Sequence, residues 1–236
     1  MTLEFSRSFG ILLGYFIVCV AGAFTVRRFL PVPSEVFRKT LHIMVVGSVL
    51  VFTYAFSTWQ AALVSAVLLA VGLYPVLALA EGLPGFSKLL IQRKPGEIKR
   101  SLLAVFTMLA VLIAVCWGHL GEKYLIVASV FAWGFGDAAA ALVGKRFGRR
   151  YIQGKLVEGR KTLEGTAAMF AASFLAVLAV LLVYRAVSWY SYVPVAAAVA
   201  AVSAVVELYT RDGMDTMTCP LAAALVLIVF IRILGV

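Results

Sequence analysis

The stretch YLIVASVFAWGFGDAAAALV, residues 124–143, decides the fold. It is twenty residues long, and Asp137 is its only charged side chain. At 1.5 Å rise per residue it reaches about 30 Å, the thickness of a bilayer's hydrocarbon core. Lipid offers no partner to a backbone N–H or C=O, so a run of this kind reads as a membrane-spanning helix. Working outward, similar runs lie between clusters of charge at 9–29, 41–56, 59–80, 101–118, 165–184, 188–208 and 217–236. The eight runs hold 158 of 236 residues, which leaves no room for a second soluble domain. Composition agrees: 63% of residues are hydrophobic and 14% charged, against about 45–50% and about 25% in soluble domains. Disordered, collagen-like, coiled-coil and disulfide-scaffold classes are excluded. The prediction is an all-α, polytopic integral membrane bundle of about eight transmembrane helices, one domain over residues 1–236.

The charges orient it. Arg27, Arg28, Arg38 and Lys39 flank the first junction, and Lys88, Arg93, Lys94, Lys99 and Arg100 the third. Lys145, Arg146, Arg149, Arg150, Lys155, Arg160 and Lys161 fill the fifth, and Arg211 stands in the seventh. Seventeen of the 21 basic residues thus share one side, while Arg7, Lys123, Arg185 and Arg232 take the other. The positive-inside rule places the seventeen in the cytoplasm and both termini away from it. Basic excess, with net charge +10, is therefore first a topology signal and not a sign of nucleic-acid binding. In a prokaryote the location would be the plasma or inner membrane. Arg7 and the small residues Ala21–Ala23 mimic a cleavable leader, but the run continues to Phe29 with basic residues after it, so the segment is read as the first span. Cys19, Cys116 and Cys219 lie far apart and suggest neither a disulfide nor structural zinc.

Three cytoplasmic segments, about 81–100, 144–163 and 208–217, are the expected active-site loops. Asp137 falls about six residues, roughly 9–10 Å, inside the cytoplasmic end of its span. An Asp at such depth is costly and should face protein, water or a cation. Gly136, Ala140, Gly144 and Gly148 recur every fourth residue; close helix packing and backbone access for a bulky polyanion both explain the stripe. Basic residues interleaved with glycine beside a buried carboxylate suggest phosphate held near a metal ion. Lys161 and Glu164 share a face of the next helix turn, with Thr162 a candidate cap. Glu207, Asp212 and Asp215 add carboxylates from later segments on the same membrane side. Mg²⁺ suits such a supply, since it takes one or two carboxylates plus substrate phosphates. Lys39 and His42, at i and i+3, enter the second span, and Glu97, Lys99 and Arg100 enter the fourth.

The run Gly136-Asp137-Ala138-Ala139-Ala140-Ala141-Leu142-Val143-Gly144-Lys145-Arg146-Phe147-Gly148 resembles the GDxxAxxxGxxxG element of CTP-dependent polyprenol kinases, a family that includes dolichol kinase, phytol kinase and CTP-dependent diacylglycerol kinase. Lys161-Thr162-Leu163-Glu164-Gly165-Thr166 resembles its KTxEG element, and Arg38-Lys39-Thr40-Leu41-His42 its RKxxH element. Glu207, Asp212-Gly213-Met214-Asp215-Thr216 and Pro220 are similar to its late acidic stretch, with Thr216 where Asn is usual. The resemblance implies transfer of the γ-phosphate of CTP to the hydroxyl of a membrane lipid alcohol drawn from the bilayer. It implies Mg²⁺ held by Asp137, Glu164, Glu207, Asp212 and Asp215. It implies nucleotide contacts from Arg38, Arg100, Gly144, Lys145, Gly148, Arg149, Arg160 and Lys161. Asp137, Glu164, Lys39 and His42 become the catalytic candidates, with His42 or a carboxylate as the base. Oligomeric state is left open.

Phosphoryl transfer needs metal, cationic clamps and in-line positioning more than covalent groups, and the residues present match that need. There is no GxxxxGK[ST] loop and no protein-kinase motif set. A cytidylyltransferase acting on a lipid phosphate would use the same groups, but KTxEG favours the kinase. Gly134-Phe135-Gly136-Asp137 also reads as the GxGD of intramembrane aspartyl proteases. No Asp precedes residue 137 to serve as the second acid. A transporter would place its charges near the midplane, whereas these gather at one face.

Overall fold

The computed structural model describes residues 2–82, 96–154, 157, 159–211 and 213–234. Among them the chain is helical, in the order α1 (Thr2–Phe29), α2 (Ser34–Tyr54), α3 (Trp59–Glu81), α4 (Glu97–Leu112), α5 (Lys123–Phe147), α6 (Leu163–Tyr184), α7 (Tyr192–Tyr209) and α8 (Asp215–Leu234). A π-helical turn, Ile113–His119, continues α4, and a 3₁₀ turn, Trp189–Ser191, precedes α7. Eight helices among the described residues are long and apolar enough to cross a membrane. The all-α, polytopic membrane class expected from hydropathy is the class observed.

Helix ends differ from the ends of the apolar runs for a physical reason. Hydropathy marks where the chain enters lipid, whereas helix ends are marked by backbone hydrogen bonding. Thus α2 starts at Ser34, seven residues before its apolar run, and carries Glu35, Arg38 and Lys39 on helical backbone. Similarly α5 continues through Lys145 to Phe147. Asp137 therefore lies ten residues from the helix end, about 15 Å at 1.5 Å per residue, while the apolar run ends six residues after it.

The chain forms two compact units, Met1–His119 and Leu120–Val236. In the first, α1 packs on α2 and α3 on α4 with its π turn. Tyr15 Oη donates to the Met44 carbonyl at 2.6 Å, beside Gly47, where a Cβ would lie 2.6 Å from that hydroxyl. Ser8 Oγ donates to the Ala55 carbonyl at 2.6 Å. Lipid tails are as apolar as leucine, so close packing and such hydrogen bonds, more than hydrophobic burial, hold membrane helices together.

In the second unit α5 packs against α6, α7 and α8 and is the most enclosed of the spans. Its small-residue stripe is the reason. A Cβ on Gly136 would come within 2.5 Å of Met169 Sδ, and one on Gly165 of α6 within 3.0 Å of the Ala140 carbonyl oxygen. Ser173 Oγ donates to the Ala132 carbonyl at 2.7 Å and fixes the axial register of the pair. The outward surface stays apolar, with Leu175, Leu182, Val183 and Leu225 exposed. Trp189 and Tyr190 stand exposed between α6 and α7, amphipathic rings suited to a membrane interface.

Candidate active site

Thr162, Glu164 and the Lys161–Glu207 pair meet at one loop that runs between Gly148 and Thr162. It begins where α5 ends: Gly148 N donates to the Gly144 carbonyl at 3.1 Å. The Cβ side of Gly144 faces Thr162 Oγ1 at 3.1 Å and Gly165 Cα at 3.6 Å. The stripe therefore serves helix packing where it meets α6. The base of the loop is closed by two antiparallel hydrogen bonds, Ile152 N to the Lys161 carbonyl and Leu163 N to the Arg150 carbonyl, both 2.9 Å. Tyr151 and Thr162 form the bridge pair between them. Thr162 then caps α6, its Oγ1 accepting from Gly165 N at 3.1 Å. The capping expected of that threonine is observed, and it satisfies one donor orphaned at the helix start.

Glu164 follows in the first turn of α6. Its Oε2 accepts the backbone N–H of Arg149 at 3.2 Å and of Arg150 at 3.3 Å. Two successive amides make a concave anion receptor, and here a side chain of the same chain fills it. Arg149, Arg150 and Arg160 are exposed, as is Lys145.

Lys161 lies at the far end of the loop. Its ammonium stands 2.5 Å from Glu207 Oε1 and also donates to the Glu207 carbonyl. Glu207 is nine-tenths buried on the last turns of α7. The two residues that the resemblance assigned to phosphate and to metal are thus partners of each other. Just beyond, Thr210 Oγ1 lies 3.0 Å from Thr218 Oγ1 and ties the end of α7 to α8. Gly213, at φ +74°, makes the turn between them.

Asp137, half-buried on α5, Glu207 on α7 and Asp215 at the start of α8 come from three helices that pack against one another. Cys219 Sγ contacts the Ser203 carbonyl at 3.9 Å. Ser203 is not among the sequence candidates, and Cys219 figures there only as one of three isolated cysteines. Ser203 does stand one helical turn before Glu207, and that spacing was the available signal. Among the described residues, no three His, Cys, Asp or Glu side chains converge closely enough to hold a metal unaided. The donor set still fits Mg²⁺, a hard cation that takes one or two carboxylates and completes its shell with phosphate and water. Asp212, Glu158 and Lys155, and Lys88, Arg93 and Lys94 of the 81–100 segment, lie outside the described residues.

In the first unit, Lys39 is buried on α2 and His42 half-buried one turn on. Arg38 pairs with Glu35 at 2.5 Å, a partner the sequence reading did not weigh. At the start of α4, Lys99 pairs with Glu81 of α3 at 2.8 Å, while Arg100 Nε donates to the Gly96 carbonyl at 3.3 Å.

No protein-family model matches this chain, and no solved structure matches it. Among curated proteins, a phytol kinase from Synechocystis sp. is 44% identical over 97 residues. The match covers 41% of this chain and 40% of that relative, so the chain spans about two fifths of the length of the relative it resembles.

Proposed function

We propose that the protein is a CTP-dependent lipid kinase of the polyprenol kinase family. It would transfer the γ-phosphate of CTP to the hydroxyl of a membrane lipid alcohol, of the phytol, polyprenol or diacylglycerol kind, at the cytoplasmic face. The observation that carries the reading is the juxtaposition within the second unit. The GDxxA helix and the KTxEG turn are joined by a closed basic loop, beside carboxylates from three helices. The identity to a phytol kinase over two fifths of the chain supports the same class.

In this reading the exposed Lys145, Arg149 and Arg160 meet the phosphates. Fixed cationic donors stabilise charge as it spreads over the transferring group. Asp137, Asp215 and Asp212 are the proposed Mg²⁺ ligands, Glu207 joining them when it is not bound to Lys161. When bound, Mg²⁺ would neutralise part of the phosphate charge. The acceptor oxygen forms its bond to the γ-phosphorus as the bond to the bridging oxygen breaks and CDP departs. The hydroxyl proton passes to a general base. A lipid alcohol reaches the site laterally, with its tail in the bilayer and its hydroxyl at the interface.

The test uses membranes containing the protein and CTP labelled at either the α or the γ phosphate. Label entering lipid from γ alone supports the kinase. Label entering from α replaces it with a cytidylyltransferase. Absence of transfer to phytol, polyprenols and diacylglycerol alike removes the enzyme reading and returns attention to transport.

A further inference from the structure

Glu164 carries one of the few carboxylates beside the basic loop, and what it touches is backbone. A carboxylate oxygen has two lone pairs, and Glu164 Oε2 uses them on the amides of Arg149 and Arg150, 15 and 14 residues upstream. It is not needed to start α6, because Thr162 already caps that helix. It is not the partner of Lys161, which lies on Glu207. Its position in the first turn also places it at the positive end of the α6 dipole, where an ionised carboxylate is favoured.

We propose that Glu164 is a positioning residue and not a metal ligand or a base. By accepting two successive amides it would hold the backbone of Arg149 and Arg150 in the conformation that offers their side chains to nucleotide phosphates. The proposal rests on the kinase reading above. The physical gain is pre-organisation: a backbone frozen before the ligand arrives loses no conformational freedom on binding. The charge of Glu164 opposes phosphate, so its benefit is geometric. That separates it from a metal-ligand role, in which the negative charge itself is required. Glutamine keeps the accepting oxygen without the charge; alanine keeps neither.

The experiment measures three quantities on full-length protein in detergent: hydrogen exchange at the Arg149 and Arg150 amides, CTP affinity in EDTA, and the Mg²⁺ concentration giving half-maximal transfer. Glu164→Ala is expected to speed exchange at both amides and to weaken CTP binding by about tenfold or more. Glu164→Gln is expected to keep CTP affinity within about threefold and to leave the Mg²⁺ requirement unchanged. Overturning results are Glu164→Ala protein that binds CTP as wild type does, or Glu164→Gln protein as defective as Glu164→Ala. A raised Mg²⁺ requirement in Glu164→Gln would equally sink it, in favour of a ligand role. Wild-type protein that binds no nucleoside triphosphate removes the kinase reading and this proposal with it. Wild-type binding with an indifferent Glu164→Ala variant removes this proposal alone.

Discussion

Lys161 Nζ stands 2.5 Å from Glu207 Oε1 and also donates to the carbonyl of the same residue, joining positions 46 apart in the chain. The contact pins the end of the basic loop to the end of α7. It also makes the two residues mutual competitors for ligands, because Lys161 cannot neutralise a phosphate while it neutralises Glu207. In the kinase reading, nucleotide phosphates draw Lys161 away and leave the Glu207 carboxylate available to a cation.

Breaking a largely buried pair from one side leaves an uncompensated charge, which costs more than removing both partners. Lys161→Met and Glu207→Gln should each lower the apparent Tm in detergent, and the double variant should lose less than the sum. A double-mutant cycle should give a coupling of about 1–3 kcal/mol. Additive losses would mean that the pair contributes nothing of its own.

Gly165 sits against α5, with the Ala140 carbonyl and Thr162 Oγ1 each 3.0 Å from the place of a Cβ. Backbone cannot move aside as a flexible side chain can. Gly165→Ala should therefore destabilise the protein by about 1–3 kcal/mol, the usual cost of overpacking. Gly72, on α3, has nothing within 4 Å of its Cβ position. Gly72→Ala should be neutral or stabilising by up to about 1 kcal/mol through helix propensity. Thermal melts of the two variants side by side check both signs.

Asp137→Ala removes a carboxylate from a helix deep enough to penalise it and replaces it with a better helix former. The variant should remain folded in membranes, yet transfer of γ-phosphate should fall by on the order of 100-fold or more. Normal turnover in that variant would remove Asp137 from the site.

The charge asymmetry predicts which side the loop faces. Arg150 and Tyr190 are exposed just beyond opposite ends of α6. With Cys19 replaced by Ser, and Cys116 and Cys219 buried, Arg150→Cys should react with a membrane-impermeant maleimide only in inverted vesicles. Tyr190→Cys should react only in right-side-out ones. The opposite pattern would invert the topology.

Eight crossings, their approximate places and the class of the fold were legible in the sequence by itself, because hydropathy is a local property that each segment carries alone. The distance of Asp137 from its helix end was legible only in part, since the helix outlasts its apolar run by four residues to Phe147. Thr162 declared its capping role by preceding a helix, another local relation. Tertiary structure alone decided the rest. Gly136, Ala140 and Gly144 were compatible with packing or with ligand access until Met169, Gly165 and Thr162 were found against the stripe. Lys161 and Glu164, neighbours on one turn, turned out to hold different things, the first an α7 carboxylate and the second two loop amides. A charged side chain's partner is whatever the fold brings within about 3 Å, and no pattern of nearby residues specifies a partner 46 positions away.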